Sequence, residues 1–521
     1  TSAPAPALRP ARALGGGRAI LGRAPFSWPA GEAPVDGLGG GRFRYGGNRA
    51  DDSSGVLKYV RVWYGGEVVG DGDEVNGITL AGVGHGTTVE YVEVAFNDDD
   101  GLEFFGGTVN AKYISVLFAG DDGIDTDQGY QGKMQFVFVA LGNAAGHNGM
   151  ELDNATDAED INAQPRSHPM IYNALFIGSV SAPSTLSSDD AEAGILRLRE
   201  GTGGSFGNMI ATNVRGIAIT QDNCGDEQIV SDLSAVSAEN LSSKNYLYFS
   251  PNILLHGRDI ASDPIQQLGS CVGRGISQYT EADPDLMLIP EDYDENSRFI
   301  DPRPRDGGFA YQLYDAVPDD NFFDAVEFRG AFDQELWIAG WSWLHEQNRI
   351  PGNYWGSRLP CGDLEQDFTL PRTNDYILSC QLFVRGSSTF TIESGVSIRA
   401  YPEGSDGLAP SIVIMPGSKI IADGTKDAPI TLTSILDETS HPIRGLWGGL
   451  VILGNAPIAT NGGKNHVEGL DGKIYGGNDV EDNSGVLRYV RVWHGGETIG
   501  ADNEINGITL AGVGSLTTIE F

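Results

Sequence analysis

Acidic side chains recur at one position in three successive segments of the chain. The segments are NDDDGLEFFGG at 97–107, GDDGIDTDQG at 120–129 and GHNGMELDN at 146–154. In each segment, acidic or polar residues precede a glycine, and a short alternating stretch with further acids follows. Grouped carboxylates can bind a hard cation such as calcium, which takes about six to eight oxygen ligands. They can also act as the acid and base that cleave a glycosidic bond.

The glycines of these segments belong to a longer series with a nearly constant step. Gly55, Gly77, Gly101, Gly123 and Gly149 each open a short β-type stretch, at steps of 22, 24, 22 and 26 residues. A period in the low twenties without a helical 3.6-residue pattern predicts an all-β solenoid, a right-handed parallel β-helix. Leucine-rich repeats are the nearest alternative, but their Leu-x-x-Leu-x-Leu spacing is missing.

Stacked coils bring equivalent positions to about 4.8 Å from one another. Strand alternation then turns Ile78, Leu102, Ile124 and Met150 inward and the residue after each of them outward. We therefore expect one acidic face built from three coils. Its predicted members are Asp98, Asp99, Asp100, Glu103, Asp121, Asp122, Asp125, Asp127, His147, Glu151 and Asp153.

Carboxylates at this spacing repel one another, and either protonation or a bound cation relieves the repulsion. We predict calcium, with ligands from the acids of this face. The predicted ligands are Asp98, Asp99, Asp100, Glu103, Asp121, Asp122, Asp125, Asp127, Glu151 and Asp153. The alternative is that the aspartates are hydrated turn residues that start each strand through Asx-type hydrogen bonds. The sequence contains no EF-hand loop, so no compact motif supports the metal prediction.

Composition limits the partners of the chain. Its 521 residues include 71 Asp and Glu against 34 Lys and Arg, a net charge of −37. A field of this sign repels nucleic acid and anionic lipid and attracts cations, although it is also typical of a solvated surface. We find no apolar run long enough for a transmembrane helix.

A second, longer repeat divides the chain. YGGNRADDSSGVLKYVRVWYGG begins at Tyr45 and YGGNDVEDNSGVLRYVRVWHGG at Tyr475, an offset of 475 − 45 = 430 residues. About two-thirds of the aligned positions are identical. The offset predicts tandem units of about 430 residues, with a second copy that we expect to be truncated at Phe521. The predicted parts are a linker or irregular start at 1–12, β-helix coils at 13–277, a cap at 278–351 and the coils of the second unit at 352–521.

The four cysteines stand outside any CxxC motif, which argues against a zinc or redox site. Two disulfides are possible, and by proximity we prefer Cys224–Cys271 and Cys361–Cys380. Such bridges would indicate an exported protein, whereas free buried thiols are the alternative.

Four motifs on successive segments resemble the active-site order of the polygalacturonases. They are DDDG at 98–101, GDDGID at 120–125, GHNG at 146–149 and RLR at 197–199. The match departs from the family pattern, because GHNG carries an inserted Asn and the basic motif is not Arg-x-Lys. If the protein is an enzyme, the resemblance assigns catalysis to Asp100, Asp121, Asp122 and His147, and binding of a substrate carboxylate to Arg197 or Arg199.

A wider resemblance covers nearly the whole chain. RGLWGGLVILGNAPI, YGGNDVEDNSGVLRYVRVWHGG and DDGLEFFGGTVNAKY are similar to segments of uncharacterised bacterial β-helix proteins of the secreted or lipoprotein type, within the pectate-lyase-like superfamily. The resemblance implies export and a cell-surface or extracellular location, but no established activity.

Together these patterns favour a structural or adhesive surface protein over an enzyme. We expect it to be stabilised by calcium and to self-associate head to tail, because open coil ends present unpaired strand edges. The alternatives are a polysaccharide-active enzyme, either a polygalacturonase-like hydrolase or a calcium-dependent lyase, and a carbohydrate-binding protein without turnover.

Overall fold

The computed structural model is an all-β protein in which strands of successive coils pair in parallel. It has two compact units, which comprise Thr1–Leu286, Glu291–Ser297 and Gly307–Trp343 in the first, and Met287–Pro290, Arg298–Asp306 and Leu344–Phe521 in the second. The predicted cap at 278–351 therefore contributes segments to both. The residues that the structure describes are 16–28, 31–35, 43–66, 75–142, 147–155, 160–179, 194–404, 407–437, 444–468, 470, 472–500 and 503–521.

One sheet of the first unit, the short-strand sheet, carries one short strand from each coil. Its neighbours along the sheet are also neighbours along the solenoid, as a β-helix requires. In the described part of the chain its eight strands are Arg18–Leu21, Ile78–Ala81, Leu102–Phe105, Ile124–Asp127, Met150–Leu152, Leu196–Leu198, Ile219–Gln221 and Ile265–Gln267.

The second sheet of this unit, the long-strand sheet, receives the following strand of each coil. Its main path is Val56–Trp63, Thr88–Ala95, Asn110–Leu117, Lys133–Ala140, Met170–Ile177, Gly204–Gly207, Tyr246–Phe249 and Gln228–Val230. Three further strands extend it, namely Ile210–Thr212, Leu254–Leu255 and Thr280–Glu281.

The core explains the regular glycine step. Ile78, Leu102, Ile124 and Met150 are all fully buried, as alternation predicts, and belong to one continuous apolar cluster. The glycine before each of these residues lies against the next coil. A Cβ built on Gly101, for example, would lie 2.4 Å from a carbonyl oxygen of the following coil. Only glycine allows the coils to approach this closely.

An aromatic ladder runs across the long-strand sheet. Tyr59, Tyr91, Tyr113 and Phe136 occupy equivalent positions, each with a left-handed φ between 53 and 59°. Their rings stack with centroid distances of 4.6, 4.3 and 4.9 Å. The shared backbone bend turns these side chains outward, and stacked rings contribute beyond their buried area.

Tryptophans of the predicted cap pack on this sheet. The ring contacts are Trp337 on Tyr113 at 5.6 Å, Trp341 on Tyr59 at 5.6 Å and Trp343 on Phe96 at 4.8 Å.

The smaller elements of the first unit are strands Ala33–Pro34, Arg44–Tyr45, Arg215–Gly216 and Asp259–Ile260, helix Ala238–Ser243, and 3-10 helices Leu233–Ala235, Gly269–Cys271 and Phe309–Tyr311.

Within the described residues of the second unit, each coil gives one strand to each of three parallel sheets. The first sheet contains Ser357–Arg358, Tyr376–Leu378, Ser397–Ala400, Ile430–Ser434 and Val490–Val492. The second contains Gly362–Leu364, Gln381–Val384, Ser411–Ile414, Gly449–Leu453 and Ile508–Ala511. The third contains Phe368–Leu370, Thr389–Ile392, Lys419–Asp423, Gly485–Arg488 and Thr518–Glu520.

Short elements complete the chain. They are strands Leu286–Leu288, Asp301–Pro304, Asn465–His466, Ile474–Tyr475, Thr498–Gly500 and Asn503–Glu504, and helix Trp343–Glu346. Disulfides join Cys224 to Cys271 and Cys361 to Cys380, the two pairs preferred from the sequence. None of the helices in the described ranges has the length and hydrophobicity needed to cross a bilayer. The predicted β-helix class is confirmed, and the 430-residue unit length stays a prediction.

Candidate functional site

Strand register in the short-strand sheet places the outward acids in one row. Glu103 is the register partner of Asp125, and Asp125 is the partner of Glu151. The row continues from Glu151 to Arg197 on the next coil. Three successive coils therefore present a carboxylate at the same point, and the fourth presents a guanidinium.

A second row runs through the residues that precede the repeat glycines. The Asp100 carboxylate accepts the backbone N–H of Asp122 at 2.9 Å, and the Asp122 carboxylate accepts that of Asn148 at 2.6 Å. The Asn148 side-chain oxygen in turn accepts the N–H of Gly194 at 3.1 Å. Buried side chains thus satisfy backbone donors of the next coil, a role close to the Asx-type alternative but acting between coils.

Among the described residues, three groups of ligand-type atoms lie within 4.8 Å of one another along these rows, and the two rows meet in one of them. The groups are Asp99, Asp100 and Asp121; Asp100, Glu103 and Asp125; and Asp121, Asp122 and His147. A calcium ion with bonds of about 2.3–2.6 Å bridges atoms at such separations. The first two groups offer only oxygen, which suits calcium, whereas the third adds a His nitrogen, which suits transition metals.

Asp125 is a carboxylate of this face with little compensation from hydrogen bonds. Burial raises its pKa well above the ordinary value, and the carboxylates of Asp100 and Glu103 raise it further. Its Oδ1 is buried and has no hydrogen-bond partner among the described residues. Burial also raises the pKa of Asp100, and Asp122 is the next cause. An orphaned carboxylate oxygen between two other carboxylates fits the donor set of a hard cation.

The basic motif lies at the far side of the same face, where it neutralises acids. Arg199 binds Asp153 at 2.7 Å and Glu151 at 2.9 Å. Arg197 binds Glu151 at 3.2 Å and Asp222 at 3.3 Å. Both guanidinium groups are thus engaged by acids, and a substrate carboxylate would have to compete with these ion pairs. Negative charge is balanced at this end and remains in excess around Asp125.

Two further acids on this side have raised pKa values. Burial raises the pKa of Asp127 to about 6, against a hydrogen bond from the Gln128 N–H that lowers it. Burial raises the pKa of Glu200 to about 7, with Arg199 acting in the opposite direction. Groups of this kind can hold or release a proton near neutral pH.

The predicted acids of this face differ in their exposure. Asp98 is exposed and Asp99 is partly exposed, whereas Asp100 and Asp122 are buried. His147 lies beside Asp121, in contact with its carboxylate.

Sequence reasoning missed several polar residues of this region. They are Glu200, Asp222 and Asn76, and Asn76 donates a hydrogen bond to Glu103. Asn76 stands immediately before a repeat glycine, as Asp100 and Asp122 do, so its position was a usable signal. Asp222 and Glu200 lie outside the acidic segments, and only the fold brings them to the arginines.

The fold and this face define a parallel β-helix protein with carboxylates concentrated on one side of its coils. The chain matches the family described as the pectate-lyase-like β-helix domain over residues 6–258 and 362–521, and it belongs to this family. It matches no curated protein and no solved structure. The predicted superfamily is thereby confirmed.

Proposed function

We propose that the protein is an extracellular β-helix scaffold whose acidic face binds calcium between adjacent coils. The observation that carries the proposal is Asp125, a carboxylate with an orphaned buried oxygen and with Asp100 and Glu103 beside it. A carboxylate in this setting must either take up a proton or share a cation with its neighbours.

The ion would be held by Asp100, Glu103 and Asp125, with water completing the coordination. These residues lie on two successive coils, because Glu103 is on strand Leu102–Phe105 and Asp125 on Ile124–Asp127. A cation between them would tie the coils together and remove the repulsion across the register. Sites in extracellular proteins bind calcium with a dissociation constant of about 10⁻⁴ to 10⁻³ M, a range that suits a stabilising ion.

An extracellular location is supported by the two disulfides, since such bonds persist in oxidising compartments. The net charge of −37 also favours solubility and attraction of cations. Structural or adhesive use of the scaffold, including self-association, is part of the same proposal.

A second candidate function is polysaccharide cleavage. The specific observation in its favour is Asp127, whose pKa is raised to about 6 on the same face as the other acids. A group that holds a proton near neutral pH is suited to protonate a leaving sugar oxygen. The ion pairs of Arg197 and Arg199 weigh against it, because these cations already bind Glu151.

The test is thermal unfolding of the full chain during titration with calcium chloride, with EDTA as the metal-free state. We expect a saturable rise in melting temperature, since an ion at about 100 times its dissociation constant stabilises by about 2.7 kcal/mol. Magnesium should give a smaller rise, because its octahedral geometry is strict. Asp125→Asn should abolish the calcium effect.

Asp51→Asn is the matched control, because its carboxylate is mostly exposed and lies in the same unit. It should respond to calcium as the unmodified protein does. Equal calcium responses in all three proteins would rule out the Asp125 site. Cleavage of polygalacturonate by the unmodified protein, lost in Asp127→Asn, would favour the second candidate.

A further inference from the structure

The outer edge of Val56–Trp63 is an open strand edge in the first unit. This strand ends the long-strand sheet, and its neighbour on the inner side is Thr88–Ala95. On its other side, the described part of the chain contains no pairing strand. Val56 is 70% exposed and Tyr59 55% exposed. An open edge with apolar side chains is a template for pairing with another strand.

The long repeat shows what covers the same residues elsewhere in the chain. Residues 55–62 correspond to 485–492 at the offset of 430. In the second unit, Lys419–Asp423 pairs in parallel with Gly485–Arg488, and Ile430–Ser434 pairs with Val490–Val492. One coil thus covers the edge that is open in the first copy.

The glycine before the strand has the same backbone conformation in both copies. Gly55 has a φ of 116° and Gly485 a φ of 117°. A Cβ on Gly485 would lie 1.8 Å from the carbonyl oxygen of Ile420, whereas a Cβ on Gly55 would meet none of the described residues within 4 Å. Among the described residues, the first copy therefore has room where the second has a strand.

The charges at the edge match the same occupant. Arg488 lies between Asp423 at 2.5 Å on the covering coil and Glu520 at 2.9 Å on the following strand. Its counterpart Lys58 has the equivalent inner partner, Glu90, at 2.8 Å. The covering coil would supply the second carboxylate, and parallel strands with opposite charges side by side are stabilised.

A second polar contact marks the covering coil. Arg491 donates to the hydroxyl of Thr431 at 2.6 Å, and its counterpart Arg61 in the first copy donates one N–H to the backbone oxygen of Trp341 at 2.7 Å. We propose that the outer edge of Val56–Trp63 docks a parallel β-coil with the pattern of residues 419–434, presented by another β-helix unit. The docked coil places an acid beside Lys58 and a hydroxyl beside Arg61. This proposal is independent of calcium binding.

The experiment uses the full chain with a benzophenone amino acid in place of Val56, and a biotinylated peptide of residues 418–434 as the probe. Val56 corresponds to Val486, the register partner of Ile421, so the docked peptide passes beside the reactive group. We expect saturable labelling after irradiation. The same amino acid at Leu241, an exposed residue of helix Ala238–Ser243, is the control and should stay unlabelled.

Charge exchange makes the test specific. An Asp423→Lys peptide should label the Val56 variant about two- to fivefold less, the effect of losing one exposed ion pair. Adding Lys58→Glu to the protein should restore labelling by that peptide and weaken labelling by the original one. Absent labelling, labelling equal to that at Leu241, or indifference to both exchanges would overturn the proposal.

Discussion

The Asp100 carboxylate accepts the backbone N–H of Asp122, the residue at the same position one coil later, at 2.9 Å. Asp122 repeats the relationship with Asn148 at 2.6 Å. The two aspartates therefore join neighbouring coils through hydrogen bonds, while their charges push those coils apart. A side chain that keeps the acceptor and removes the charge separates the two effects.

Asp122→Asn should therefore preserve the ladder and stabilise the metal-free protein at pH 7.5, because the buried negative charge is lost and the acceptor oxygen remains. Asp122→Ala should be less stable than Asp122→Asn by about 1–3 kcal/mol, the cost of leaving buried donors unsatisfied. Urea denaturation of both variants in EDTA measures the difference. Equal stability of the two variants would show that the hydrogen bonds of Asp122 contribute nothing.

Stability of the metal-free protein should rise as the pH falls from 7.5 to 5. Burial raises the folded-state pKa of Asp127 to about 6 and, with neighbouring carboxylates, raises that of Asp100 and Asp125. Between the unfolded value of about 3.9 and the folded value, the native state binds more protons than the unfolded state, so the free energy of unfolding falls as pH rises.

The stabilisation by calcium should instead increase as the pH rises, because calcium binds the ionised carboxylates and competes with protons. We expect calcium to raise the melting temperature most at pH 7.5 and almost not at all at pH 5. Melting curves at four pH values, with calcium and with EDTA, give both trends. A metal-free protein that becomes steadily less stable on acidification through this window would contradict the raised pKa values.

Arg199→Gln should be strongly destabilising at pH 7.5, because it leaves Asp153 and Glu151 buried without their shared cation. Removing one partner of a buried ion pair costs about 3–5 kcal/mol. The double variant Arg199→Gln/Asp153→Asn should recover part of the loss, since one unpaired charge is then absent. Guanidinium denaturation of the two variants provides the comparison, and no recovery would mean that packing of the Arg199 side chain dominates.

The repeat period, the inward residues and the acidic face were predictable from the sequence, because a parallel β-helix converts a fixed step into a spatial stack. Ile124 and Asp125 illustrate this, since alternation alone places one in the core and the other on the face. The charge balance of the face was not predictable. Arg199 forms an ion pair with Asp153, 46 residues away in the sequence. No local pattern indicates that this arginine neutralises acids and does not bind a substrate.

The long-strand sheet gives a further example of what only packing decides. Glu93 lies on strand Thr88–Ala95 at a position that alternation turns outward, yet it is fully buried. Trp343 donates its backbone N–H to Glu93 at 2.7 Å, and Trp63 donates its indole N–H at 2.9 Å. Burial raises the pKa of Glu93 to about 7, and these hydrogen bonds act in the opposite direction.

Glu93→Gln should make the protein more stable at pH 8 and leave its stability nearly unchanged at pH 5. Glutamine keeps an oxygen for the donors from Trp63 and Trp343, and it has no proton to lose. At pH 8 the wild-type carboxylate is ionised in a buried site. This lowers the free energy of unfolding by about 3 kcal/mol relative to a carboxyl group whose pKa is the same in the folded and unfolded states. Urea denaturation at both pH values measures the gain in stability.

Glu90→Gln is the control, because the Glu90 side chain is 36% exposed. This variant should show no such pH-dependent gain. A Glu93→Gln variant that is less stable than the wild type at pH 8 would mean that the donors from Trp63 and Trp343 require the ionised carboxylate.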